Sequence, residues 1–68
     1  MNNKDKSKLG LYINTLQLLI KNLKAANEQE PSEAALILLA KGITATIEKD
    51  TVKAAFVDFC FFNYSISI

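Results

Sequence analysis

The chain has no histidine and a single cysteine, Cys60, among its 68 residues. One cysteine cannot form an internal disulfide, and the common zinc-ligand sets cannot be assembled without histidine. A cysteine nucleophile would need a neighbouring base, and the segment DFCFFNY offers none. These absences disfavour a catalytic role, a metal site and a disulfide scaffold. They predict that Cys60 is a small buried hydrophobic residue, and no cofactor-binding motif is present.

Arginine is also absent, because all eight basic residues are lysines, set against seven acids. Sequence-specific recognition of nucleic acids relies heavily on the arginine guanidinium. The composition therefore disfavours nucleic acid as a partner. Residues 1–27 carry a net charge of +4 and residues 28–68 a net charge of −3, which predicts attraction between these two parts of the chain.

The sequence has no hydrophobic run long enough to span a membrane. The longest uncharged stretch, Leu9 to Ile20, has 12 residues, whereas a membrane-spanning helix needs about 20 apolar residues. The polar start MNNKDKSK lacks the features of a secretion signal. We therefore expect a cytoplasmic protein with no membrane span and a reduced thiol.

The chain is rich in hydrophobic residues, which make up 50% of the sequence, whereas charged residues make up 22%. That balance predicts a folded domain. A chain of this length, however, buries only about 60% of the surface that its unfolded form exposes. With disulfides and zinc disfavoured, the remaining route to a sufficient core is oligomerisation.

A first helix is predicted over residues 8–27, because its apolar residues recur at intervals of three and four. Ser7 is the expected N-cap, and residues 1–7 are expected to form a flexible polar arm. Lysines in the last turns suit the negative end of the helix. The apolar stripe consists of Leu9, Tyr12, Ile13, Leu16, Leu19, Ile20 and Leu23.

Pro31 predicts a break, after which Ser32 caps a second helix or Pro31 occupies its first position. The short connection predicts that the two helices pack as an antiparallel hairpin. Residues 34–40, AALILLA, are apolar in every direction around a helix. A helix of this kind is expected to be buried on all sides, at the centre of the structure.

Gly42 allows two interpretations. The pattern AKGI favours a helix C-cap, with Gly42 in the left-handed conformation. The alternative places Gly42 inside a longer helix, at a cost of about 1 kcal/mol. Residues 43–50 are equally ambiguous, since they fit both the strand and the helix period, and we favour helix.

A third helix is predicted from Asp50 or Thr51 as N-cap, with Val52, Ala55 and Phe56 among its apolar residues. Residues 63–68 are expected to fray or to pair weakly as an extended tail. The predicted organisation is thus a single helical domain over residues 8–62. The fold class is all-α, with an antiparallel helical hairpin or a three-helix arrangement that completes its core by oligomerisation.

Two of the predicted helices have a second apolar face. Leu11 and Leu18 lie opposite the main stripe of the first helix, and Val57 and Phe61 lie opposite that of the third. An isolated surface leucine is common, but a set of this extent is typical of an interface. We therefore predict that Leu11, Leu18, Val57 and Phe61 form an interaction surface.

The sequence favours a small non-enzymatic protein–protein interaction module, a regulator, adaptor or inhibitor of bacterial, plasmid or phage type. Its partner is a second copy of the chain or another protein. One alternative is a compact DNA-binding regulator, because LLAKGIT followed by KDTVKAAF resembles a helix-turn-helix. Leu38 and Glu48 do not suit that motif. Another alternative is a membrane-surface or immunity-type protein.

Overall fold

The computed structural model describes all 68 residues and contains three helices and no strands. Helix α1 spans Asn3–Asn27, α2 spans Glu33–Thr44 and α3 spans Asp50–Tyr64. Two five-residue connections, 28–32 and 45–49, each reverse the chain direction once. The bundle measures 38 × 19 × 19 Å, and its long dimension matches the length of α1 at about 1.5 Å per residue. The predicted all-α fold is confirmed.

Two contacts show that α1 and α3 run parallel to each other. The rings of Tyr12 and Phe56 pack edge-on with their centroids 6.5 Å apart. Nearer the start of both helices, the Nζ atom of Lys49 lies 2.8 Å from a carboxylate oxygen of Asp5. Both helices therefore begin at the same end of the bundle, and α2 runs antiparallel to them.

The expected polar arm over residues 1–7 is wrong, because α1 already begins at Asn3. The side chain of Asn2 caps the helix, and its Oδ1 accepts a hydrogen bond of 2.8 Å from the backbone N–H of Asp5. Asp5 is buried and forms the ion pair with Lys49. The helix thus starts five residues before the predicted position, at a different cap.

The connection between α1 and α2 follows the prediction closely. The helix α1 ends at Asn27, and Glu28 takes the left-handed conformation with φ of 57°. Lys24 forms an exposed ion pair of 2.6 Å with Glu30. The Oγ atom of Ser32 accepts from the backbone N–H of Ala35 at 3.1 Å, which confirms Ser32 as the cap of α2.

The expected C-cap at Gly42 is wrong, because α2 continues through Gly42 to Thr44. No glycine in the chain has a positive φ. After Thr44 the chain tightens, and the N–H groups of Thr46 and Ile47 donate to carbonyl oxygens three residues earlier. The favoured helix over residues 43–50 is therefore correct only as far as Thr44.

The core is small and lies between the three helices. The helix α3 supplies Val52, Phe56 and Cys60 at intervals of four, which keeps them on one face. Leu16 is fully buried and confirms the main stripe of α1. The complete set of buried apolar residues is Leu16, Ala40, Ile43, Ile47, Val52, Phe56, Cys60 and Ile66.

The expectation that α2 is buried on all sides is wrong. Ala40 and Ile43 are its only buried residues, and Leu38 is 72% exposed. Two neighbouring helices cover only part of the circumference of α2, so the remaining apolar side faces outward. The centre of the structure lies along α3 rather than α2.

The ends of α3 also differ from the prediction. Lys49 occupies the N-cap position without a side-chain hydrogen bond, so neither Asp50 nor Thr51 is the cap. At the other end Ser65 adopts φ of 56°, and its N–H donates to the carbonyl oxygen of Phe61. This turn directs Ile66 into the core, where it is 1% exposed. The segment predicted to fray therefore completes the core.

Candidate interaction surface

Seven large hydrophobic side chains are exposed on the bundle, many for a chain with only nine buried residues. Three of them, Leu11, Leu18 and Phe61, belong to the predicted interaction surface, and each is more than half exposed. Val57, the fourth predicted residue, is half-buried. The full exposed set is Met1, Leu11, Leu18, Leu19, Leu38, Phe61 and Phe62.

Helical periodicity places Leu11 and Leu18 on the flank of α1 that borders α3. Each residue advances about 100° around a helix, so Leu11 and Leu18 lie about 140° and 160° from the buried Leu16. Both are displaced from Leu16 in the same rotational direction as Tyr12. Because Tyr12 packs against Phe56 of α3, this is the side of α1 on which α3 lies.

The matching flank of α3 carries the other two residues. Val57 and Phe61 lie about 100° and 140° from the buried Phe56, in the opposite rotational direction. On two parallel neighbouring helices, opposite rotational directions lead to the same outer side of the bundle. The fold therefore directs Leu11, Leu18, Val57 and Phe61 toward one surface, which we call the α1–α3 face.

The part of the α1–α3 face that α1 contributes between Lys8 and Lys21 is free of charge. Thr15 lies between Leu11 and Leu18 on the same flank, and its hydroxyl donates a hydrogen bond of 2.8 Å to the carbonyl oxygen of Leu11. That bond uses the only donor of the side chain, which leaves its methyl group available for contact. No charged residue occurs in α1 between Lys8 and Lys21. An apolar centre with charges at its margin is the usual composition of a protein interface.

Sequence reasoning missed the two most exposed residues, Leu38 and Phe62, which are 72% and 79% exposed. Leu38 was assigned to the core because its neighbours in α2 are apolar, yet Ala34 and Gly42 on the same side are small and also exposed. Phe62 contacts Phe61 edge-on, with ring centroids 5.5 Å apart. The small residues around Leu38 were the signal for an outward side.

A polar cleft lies at the end of the bundle where α1 and α3 begin. It has a volume of about 210 Å³, below the range of roughly 300–1,000 Å³ that ligand pockets occupy. Its wall includes Lys8 and Lys49, and the ammonium group of Lys49 is already paired with Asp5. The lining residues are Lys8, Tyr12, Thr46, Ile47, Glu48, Lys49 and Val52.

Cys60 lies in the core, as the sequence predicted, and is completely buried. Desolvation by burial raises the pKa of its thiol, so the neutral form predominates at neutral pH. A neutral, inaccessible thiol contributes packing rather than nucleophilic chemistry. No three metal-ligating side chains come together elsewhere in the fold.

No protein-family model, curated protein or solved structure matches the chain. None of the three helices has the length and apolar character needed to cross a bilayer. The functional argument therefore depends on the surface of the bundle. Its most extended feature is the α1–α3 face, to which two helices contribute exposed apolar side chains.

Proposed function

We propose that this protein is a small non-enzymatic interaction module that binds another protein chain through its α1–α3 face. The observation that carries the proposal is the exposure of Leu11, Leu18 and Phe61 on one side of the bundle, where α1 carries no charge between Lys8 and Lys21. A regulator, adaptor or inhibitor of this kind acts by occupying a surface of its partner. Its own chemistry is then limited to shape and apolar contact.

The physical basis is the removal of apolar surface from water. Burial stabilises a complex by about 25 cal/mol per Å² of apolar area, and a phenylalanine offers more such area than any aliphatic residue on this face. Aromatic residues are enriched at protein interfaces. Phe61 on α3, flanked by Leu18 on the neighbouring helix, is the expected centre of the contact.

The test replaces Leu18 by lysine and compares it with a control that adds the same charge elsewhere on α1. Gln17 is exposed and lies about 100° away around the helix, so Gln17→Lys leaves the α1–α3 face unchanged. Partner binding in the native host is measured by cross-linking and co-purification. Circular dichroism and thermal unfolding confirm that both variants remain folded.

We expect the wild type and Gln17→Lys to retain the same partner and Leu18→Lys to lose it. Both substitutions should change the free energy of unfolding of the isolated chain by less than about 0.5 kcal/mol, because both sites are exposed. Loss of binding without loss of helix content therefore identifies an interface. If Leu18→Lys binds the partner as the wild type does, the proposal is refuted.

The same two variants separate this proposal from its alternatives. A DNA-binding regulator would bind DNA with an affinity that falls steeply with salt, and the added lysine of Leu18→Lys would not weaken that binding. A membrane-surface protein would float with anionic vesicles in a density gradient. If no protein partner is found, salt-dependent DNA binding would identify a DNA-binding regulator, and flotation with vesicles would identify a membrane-surface protein.

A further inference from the structure

We infer that the α1–α3 face binds a single helix of a different protein, which runs antiparallel to α1 and α3 and has acidic residues in its last turn. This inference rests on the proposed function and specifies the chemistry of the partner. An amphipathic helix that lies along an apolar surface between two helices is a common form of protein recognition. The argument for its acidic end comes from the charges around the face.

The apolar part of the α1–α3 face has the length of a short helix. Because the rings of Tyr12 and Phe56 are in contact, these residues lie close to the same level along the bundle. The apolar part runs from the level of Leu11 to that of Tyr64, which is about 14 Å, or two to three helical turns. Leu19, on the side of α1 nearest α3, is 38% exposed and adds to it. A partner helix can cover this length with apolar residues at intervals of three and four.

Two lysines, one on each helix, lie at one end of the apolar part. Lys8 precedes Tyr12 by four residues and Lys53 precedes Phe56 by three, so the two lysines differ in level by only about 1.5 Å. Helical periodicity places Lys8 on the flank of α1 toward α3 and Lys53 on the flank of α3 toward α1. Lys8 is exposed and Lys53 is half-buried. Neither takes part in the two ion pairs of the fold, so both can bind an acidic partner.

The surroundings of these two lysines are also positively charged. Residues 1–9 and 45–53 form this end of the bundle, and they contain five lysines and three acidic residues, a net charge of +2. One of the acids, Asp5, is buried and already paired with Lys49. The other two, Glu48 and Asp50, are outnumbered by the remaining lysines. Charge complementarity therefore favours a partner with negative charge at this end.

The polarity of α1 and α3 determines the direction of the partner helix. Both helices begin at the basic end, so the positive ends of their dipoles lie there. The last turn of α3 contains no basic residue, so the negative end of its dipole is not compensated by its own side chains. An antiparallel partner places its negative C-terminus beside Lys8 and Lys53 and its positive N-terminus beside the end of α3. Acidic residues in the last turn of the partner strengthen the contact with the lysines.

The helices of this chain do not meet that description. The last four residues of α1, α2 and α3 are KAAN, KGIT and FFNY, and none of them is acidic. The last turns of α1 and α2 instead carry Lys24 and Lys41. A second copy would therefore bring no acidic helix end to Lys8 and Lys53, which is why we assign the face to a different protein.

The experiment measures the binding of two synthetic helical peptides by fluorescence anisotropy. Both have the same composition, leucines at intervals of three and four along one side, and a hydrocarbon staple on the opposite side that keeps them helical. One peptide has its glutamates in the last turn and the other has them in the first turn. We expect the wild-type protein to bind the peptide with C-terminal glutamates about tenfold more tightly.

Two pairs of variants identify the residues responsible. Lys6 is exposed and lies about 160° from Lys8 around α1, so Lys6→Glu is the matched control for Lys8→Glu. We expect Lys8→Glu to weaken binding of the peptide with C-terminal glutamates about three- to tenfold, less so at high salt, and Lys6→Glu to change it little. Leu18→Lys should weaken binding of both peptides by at least about thirtyfold, and Gln17→Lys should not.

Three results would overturn the inference. Equal affinity for the two peptides, or equal effects of Lys8→Glu and Lys6→Glu, would show that the lysines do not select an acidic helix end. Failure of both peptides to bind would exclude a lone helix as the occupant. A wild-type dimer in sedimentation equilibrium that Leu18→Lys dissociates would assign the face to a second copy. In each case, loss of a native partner by Leu18→Lys would still support the proposed function, because that test does not depend on the chemistry of the partner.

Discussion

Replacing Gly42 by alanine should stabilise the protein. Gly42 lies inside α2, two residues before its end, and its φ is not positive. A Cβ atom added at this position meets no atom within 4 Å. The substitution therefore introduces no strain, and it removes the conformational freedom that glycine has in the unfolded chain.

The magnitude follows from helix propensity and from the size of the domain. Glycine in a helix interior is less favourable than alanine by about 0.5–1 kcal/mol. The entropy of unfolding near 60 °C is about 2.1 cal/mol/K per residue, or roughly 0.14 kcal/mol/K for this chain. Gly42→Ala should thus raise the melting temperature by about 4–7 °C and leave the urea m-value unchanged.

Thermal and urea unfolding at a single fixed protein concentration measure the effect. Gly10→Ala is the matched control, because Gly10 also lies inside a helix and a Cβ there meets nothing within 4 Å. The two gains should be similar in size and additive. A loss of about 1 kcal/mol for Gly42→Ala alone would show that Gly42 holds the left-handed cap that the sequence pattern favoured.

Three core residues give further predictions. Leu16→Ala should reduce the free energy of unfolding by about 2–5 kcal/mol. Leu11→Ala, on the exposed side of α1, should change it by less than about 0.5 kcal/mol. Similar losses for the two variants would contradict the assignment of Leu16 to the core. Cys60→Ala should cost about 1 kcal/mol at pH 7. Burial raises the pKa of the Cys60 thiol. The contribution of the thiol to the free energy of unfolding is therefore present below the unfolded pKa of about 8.5 and declines as the pH rises toward the folded value. The stabilities of the wild type and Cys60→Ala should then converge in urea titrations at alkaline pH. Divergence would contradict the sign of the shift. Ile66→Ala should reduce the free energy of unfolding by about 2–4 kcal/mol in the same assay. Ser67→Ala, at the exposed neighbouring position, should change it little. Equal losses for the two variants would show that the tail does not complete the core.

The parts of the fold that sequence analysis predicted correctly depend on local patterns. The stripe around Leu16 follows from helical periodicity, and its central residue is buried as expected. The break at Pro31 and the cap at Ser32 follow from the chemistry of single residues. These features involve residues a few positions apart, so the sequence contains all the information needed to predict them.

The errors arose where a distant contact decided the structure. The start of α1 at Asn3 is polar, and Asp5 is buried there and paired with Lys49, far along the chain. Ile66 was expected to fray, but the space it fills is created by the packing of all three helices. Neither contact leaves a periodic pattern in the sequence.

The candidate surface shows the same division. Leu11 and Phe61 were recognised from their positions opposite the main stripes of their own helices. That they face the same side depends on the parallel course of α1 and α3, which the sequence does not specify. Leu38 was missed because the apolar residues on every side of α2 were given more weight than the small residues Ala34 and Gly42, one turn before and after it.

The parallel course of α1 and α3 also determines the order in which the fold can be assembled. The Tyr12–Phe56 contact and the Asp5–Lys49 ion pair each join residues 44 positions apart. Closing a loop of that length costs about 3 kcal/mol of chain entropy, so these contacts should form after those that α2 makes with α1 and α3 across the short connections. Consider a hairpin of α1 and α2 alone. That hairpin lacks the core residues of α3 and the tail that follows it, which leaves it without a dry interior. We therefore expect two-state folding, in which every opening of α3 exposes the whole apolar stripe of α1 at once.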